Sequence, residues 1–269
     1  MGPKAGLSLL FLLQGKYKKA KDQIAQAIQI AEELGADTWK LNLQSLSTYV
    51  NFNLGNFEEA VDEIENALKA SIEAENIPQQ RIALIIKGIL YLETGLMAEA
   101  RSIAAELRNL IQKGINKKAI KFHYFLVGMI EKRKANYAEA IKNLKNAISL
   151  LPYQSSTFDW HAFFIEPLAS AYFQSGDIEN AQAEYERIIS LTTGRLRFGD
   201  IYAKNFYMLG KIYEQKGWKG KAIEHYEKFL DLWKDADPGI DEVEDARKRL
   251  VTLKNQKGLS KKGIKRLTF

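Results

Sequence analysis

Apolar side chains fall three and four residues apart over most of this chain. That spacing gathers them on one helical face, while strand-like alternation is scarce. A small residue fixes the register: Ala20, Ala60, Ala100, Ala140, Ala181 and Ala222 stand 40, 40, 40, 41 and 41 positions apart. Four residues after each come Ile24, Ile64, Ala104, Leu144, Tyr185 and Tyr226, and seven after come Ala27, Ala67, Leu107, Ala147, Ile188 and Phe229. Twelve residues before each alanine sits a mostly small residue, Ser8, Thr48, Gly88, Gly128, Ala169 or Gly210, which lets a second helix approach closely. The pattern predicts an all-α array of about six antiparallel helix pairs.

The turn inside each pair has its own signature, GKYKKA at 15–20, GNFEEA at 55–60, GLMAEA at 95–100, ANYAEA at 135–140, GDIENA at 176–181 and GWKGKA at 217–222. Glycine at the head of five of them supplies the positive φ that ends a helix, and in the fourth, where Ala135 replaces glycine, Asn136 is expected to do so. An apolar residue two places on (Tyr17, Phe57, Met97, Tyr137, Ile178) staples the turn. The sixth departs, with Trp218 one place early and Lys219 in the usual slot.

The repeats run approximately over 1–36, 37–77, 78–117, 118–156, 157–198 and 199–238. Pro238 and Gly239 then break the helix, and an acidic first turn from Asp241 opens a last helix over 241–257 that ends at Gly258 and covers the final repeat, as solenoids require. A basic, flexible tail is expected over 258–269. The first helix starts almost at Met1 with no cap before it, so the array is either self-capping there or a piece of a longer protein; we expect the latter. In the fifth repeat Pro167 falls mid-helix, where it should bend the helix and open its surroundings, unless Glu166-Pro167 instead starts a helix after an extended segment from Pro152.

This arrangement resembles the tetratricopeptide repeat family over nearly the whole chain. The family pattern is fullest in the third copy (Gly88, Tyr91, Gly95, Ala100), the fourth (Gly128, Tyr137, Ala140, Ala147, Pro152) and the sixth (Gly210, Tyr213, Gly217, Ala222). The family's first-helix tryptophan is missing throughout; Trp39, Trp160, Trp218 and Trp233 lie elsewhere. Repeats of about 40 residues rather than roughly 34 imply longer helices. The long form is similar to repeats attached to bacterial signalling proteins such as maltose-type transcription activators, serine/threonine kinases and nucleotide cyclases. The resemblance implies a right-handed superhelix whose first helices line a concave binding face.

Composition narrows the function. The chain has 269 residues, 46% of them hydrophobic, five prolines and no cysteine, which excludes disulfides and thiolate chemistry and fits a reducing, cytoplasmic setting. The apolar run Leu7–Leu13 is too short to span a bilayer and lies in register with the repeat, so neither a membrane span nor a cleaved signal is expected. Of the formal charge of +6, nine basic residues and no acids lie from Arg247 onward, leaving residues 1–246 at −3. Nucleic acid is therefore not an expected partner.

No phosphate loop, paired-histidine motif or nucleophile elbow occurs, and His123, His161 and His225 lie in three different repeats. No enzyme and no cofactor or metal is expected. The resemblance carries the family's groove positions onto Tyr49 and Phe52, Ile85 and Ile89, Phe122, Phe125 and Met129, and Phe163 and Phe173, with Lys132 and Arg133 at the edge. The peptide-carboxylate clamp needs lysine and asparagine where this chain has Ser45/Tyr49, Ile85/Ile89 and Phe125/Met129, so that ligand class is rejected. The apolar stripe is either a groove for a protein or peptide partner, which can be another domain of the parent chain, or core buried by tight coiling. A small-ligand sensor of a signalling protein is the alternative function, and it requires a closed apolar pocket with a few polar groups.

Overall fold

The computed structural model describes residues 2–154 and 159–265, with side chains to residue 256. Among the described residues there are thirteen α-helices, two short 3-10 turns and no strand. The pairs are α1 (Gly2–Leu13) with α2 (Tyr17–Glu33), α3 (Asp37–Asn53) with α4 (Phe57–Glu73), and α5 (Ile77–Glu93) with α6 (Met97–Lys113). They continue as α7 (Ile120–Arg133) with α8 (Tyr137–Ser149), α9 (His161–Gln174) with α10 (Ile178–Ile189), and α11 (Gly199–Gln215) with α12 (Lys219–Leu232). All six register alanines are fully buried. At Gly210 a Cβ would stand 2.6 Å from the ring of Tyr226, so the helices of the sixth pair touch at a spot with no room for a side chain.

The fourth turn corrects one expectation. Ala135 itself takes the left-handed conformation (φ 58°), and Asn136 stays at −84°. The reason is the closing hydrogen bond from Asn136 N to Glu131 O, 2.9 Å, which fixes the residue before Asn136 as the one that must turn. Because alanine is strained there, Ala135→Gly should stabilise the protein by about 1 kcal/mol in a urea melt. No gain would mean that the turn relaxes the strain by other means.

The sixth turn keeps the common geometry despite its altered sequence: Gly217 has φ 73°, α12 starts at Lys219, and Trp218 stacks on Tyr213 with ring centroids 5.8 Å apart. Pro167 lies inside α9, which begins at His161, so the helix does not start at Glu166-Pro167.

Helix α13 (Asp241–Lys265) covers the last pair with Val243, Ala246 and Leu253. Arg249 anchors it, bonding Asp245 at 2.6 Å and Glu214 at 3.0 Å. It runs on through Gly258, where the sequence places its end; an internal glycine lowers helix propensity by about 1 kcal/mol without forbidding the helix. Of the basic tail expected to be flexible, only the backbone to Lys265 is described, and 266–269 lie outside the described residues.

The array bends until its ends meet. Helix α1 packs against α11, and the sixth pair meets the first turn. Trp233, fully buried, donates from Nε1 to Leu13 O at 3.0 Å; Asp237 N donates to Gly15 O at 3.0 Å, and Lys18 N donates to Asp237 Oδ2 at 2.9 Å. Tyr17 stands edge-on to Trp233, with centroids 6.2 Å apart. The flank of the first pair is thus partly covered by the sixth, although Leu7 and Leu10 remain exposed.

Candidate functional site

Closure turns the concave face into the inside of a ring. The first helices of successive pairs, α3, α5, α7, α9 and α11, contact one another in order around it. They line a half-open central cavity of about 340 Å³.

Helical spacing selects what each helix contributes. From α3 come Tyr49, Phe52 and Asn53, and from α5 come Ile86, Ile89 and Glu93. Helix α7 offers Phe125, Met129 and Lys132, α9 offers Phe163, Glu166 and Pro167, and α11 offers Asp200, Lys204 and Met208. Glu242 of α13 completes the wall. Seven of the groove residues expected from sequence therefore meet here: Tyr49, Phe52, Ile89, Phe125, Met129, Lys132 and Phe163.

The other four do not. Ile85 is fully buried between helices, and Phe122 lies one turn before Phe125, against Trp160 and Phe164. Phe173 lies two turns past Glu166, under Lys211, and Arg133 is exposed, 3.8 Å from Glu93. Among the seven, Phe125 is 1% exposed and belongs as much to the core as to the cavity.

One end of the ring is filled by residues that precede α9 and α11. Phe198 inserts with 2% exposure, its ring 4.9 Å from Phe163, 5.2 Å from Tyr49 and 5.4 Å from Trp160. Arg197 lies over Trp160 at 4.8 Å, and burial lowers its guanidinium pKa to about 10. At the opposite, C-terminal ends of the inner helices the wall turns polar, with Asn53, Glu93 and Lys132.

The electrostatic centre is Asp200, in the first turn of α11 and 1% exposed. Tyr49 and Tyr17 both donate to its Oδ2, at 2.6 and 3.0 Å. Burial raises its carboxyl pKa above the ordinary value, opposed by the two phenols and by Lys204. Lys204 in turn pairs with Glu242 at 2.9 Å, tying α11 to α13. Asp200, Glu166, Trp160 and Phe198 escaped the sequence reading, since three of them sit at or before helix starts, outside the repeating stripe.

The three histidines stay apart: His123, His161 and His225 each bond a backbone carbonyl, of Ala104, Pro152 and Lys221, at 2.9 Å. No group of three or more His, Cys, Asp or Glu among the described residues is arranged to hold a metal ion. No described helix is long and apolar enough to cross a membrane.

Comparison with known proteins agrees with the helix pairs. A tetratricopeptide repeat family model matches residues 51–111, and a second one matches 168–193 and 203–232. No curated protein matches the chain. Among solved structures, a thermophilic TPR protein of Thermus thermophilus is similar at 19% identity and TM-score 0.54, over 79% of this chain and 98% of that one. BtubC of P. vanneervenii is similar at 16% and 0.52, over 80% and 90%. The human IFIT1 dimer with m7Gppp-AAAA is similar at 16% and 0.60, over 94% of this chain and 53% of that one. At such identities the likeness concerns the fold alone. The matched segments fall on the second, third, fifth and sixth helix pairs, in the register the buried alanines set, and the chain is a tetratricopeptide repeat protein.

Proposed function

We propose that this protein is a non-catalytic binding module, of the regulatory kind its long repeats resemble, that takes a partner into the central cavity. Tetratricopeptide repeats generally mediate contacts between proteins. The observation that carries the reading is the closed ring: seven of the expected groove residues are gathered around about 340 Å³ with polar groups at one end. A helix about 10 Å across does not fit such a space, so the partner inserts a side chain or a short segment. The absence of cysteine suits work in a reducing compartment.

Peptides selected from a displayed library test this. They should bind the native protein and lose affinity for Met129→Trp, which fills the cavity, while the melting temperature of that variant stays unchanged. Equal binding to both proteins would overturn the site. The size of the cavity also favours a second reading, a small-ligand sensor, because about 340 Å³ lies in the range of small-molecule pockets. A thermal-shift screen of metabolites against the same two proteins separates the readings.

A further inference from the structure

The charges of the cavity do not balance locally. Four carboxylates line it, and two of them are answered: Glu242 by Lys204 at 2.9 Å, and Glu93 by Arg133 at 3.8 Å. Lys132 donates to the hydroxyl of Ser170 at 3.2 Å and keeps its charge, so four carboxylates stand against Lys132, Lys204 and Arg133 and the site stays net negative. Glu166 has no hydrogen-bond or ion-pair partner among the described residues. Asp200 is 1% exposed, gives its Oδ2 to two phenols, and leaves Oδ1 without a partner among the described residues.

Tyr49 responds to both charges. Its hydroxyl donates to Asp200, and after burial and Asp200 the charge of Glu166 adds to what holds its phenol pKa well above the usual value. Carboxylates beside a wall of Phe52, Phe163, Ile89 and Met129 demand an opposite charge, since water is displaced there. The aromatic faces attract the same sign. The long apolar wall suits a stem.

We infer that the cavity selects a cation, a primary ammonium or guanidinium group on an apolar stem, held by Glu166 and Asp200. This rests on the cavity being the binding site. The cation is either a free amine or the lysine or arginine side chain of a partner.

Calorimetric titration with hexylamine, hexan-1-ol and hexanoate keeps one stem and varies the charge. Hexylamine should bind about tenfold tighter than hexanol, the worth of a charged hydrogen bond, and hexanoate should not bind. Glu166→Gln breaks no bond in the structure and should weaken hexylamine about tenfold, down to the affinity of hexanol. A short peptide with a central lysine, measured beside its norleucine counterpart, tells the sources apart. A preference for lysine with no uptake of hexylamine assigns the cation to a partner, and uptake of hexylamine without a lysine preference assigns it to a free amine.

Equal affinity for hexylamine and hexanol, with both lost in Met129→Trp, would overturn the cation and leave the cavity standing. Uptake of hexylamine unchanged in Met129→Trp would overturn both. If neither hexylamine nor the lysine peptide binds while displayed peptides still depend on an open cavity, the cation alone falls.

Discussion

Trp233→Ala should destabilise the protein by about 3–5 kcal/mol in a urea melt, the cost of deleting a fully buried indole. The effect should also appear at the opposite end of the chain. Trp233 packs against Phe229 at 5.0 Å and Tyr17 at 6.2 Å, and it bonds the carbonyl of Leu13. Hydrogen exchange should therefore speed up in α1 as well as in α12. Two glycine variants isolate the seam. Gly15 and Gly55 both have positive φ, but a Cβ at Gly15 would stand 2.8 Å from the indole, whereas one at Gly55 meets nothing within 4 Å. Gly15→Ala should thus cost about 1–3 kcal/mol more than Gly55→Ala, by overpacking. A loss under about 1 kcal/mol in Trp233→Ala, with α1 undisturbed, would show that the ends do not dock.

Phe125→Glu should abolish the cooperative melt. The ring is 1% exposed, 4.5 Å from Phe164 and stacked on Phe163 at 5.1 Å, so the variant buries a carboxylate among aromatics at a cost above about 4 kcal/mol. Phe52→Glu, at a half-buried wall position, should cost less and keep the transition sharp. A native-like melt for Phe125→Glu would place that side chain in open solvent and contradict the ring.

The helix pairs were legible because each repeat states them again: the alanine register and the apolar stripe at four and seven are local signals repeated six times, and the turn glycine five times. The wall of the cavity was legible in part for the same reason, since Phe125, Met129 and Lys132 share one face of α7 by spacing alone. What was illegible is curvature. A bend accumulated over six pairs brings Leu13 to Trp233 and Tyr17 to Asp200, and no single repeat records it. Asp200 reads in sequence as an ordinary acid in the first turn of a helix, and only the two phenols on its Oδ2 reveal its position at the centre. Phe198 and Trp160 lie in the irregular connections, where the periodicity is silent. At Ala135 the expectation failed for a different reason, because residue preference favoured Asn136 while hydrogen-bond geometry had already fixed the turn one place earlier.

An open solenoid is indifferent to copy number: each unit touches only its neighbours, so one can be gained or lost and the rest persist. The seam between the first and sixth pairs removes that freedom. The hydrogen bond from Trp233 to Leu13 joins residues 220 positions apart, and it forms only when the bends in between sum to a full circuit. Duplicating or excising one 40-residue unit would leave every turn and every buried alanine intact, yet it would carry Trp233 past Leu13 or stop it short. Length variation, the usual currency of change among repeat proteins, is thereby closed to this one, whose fold counts its own units.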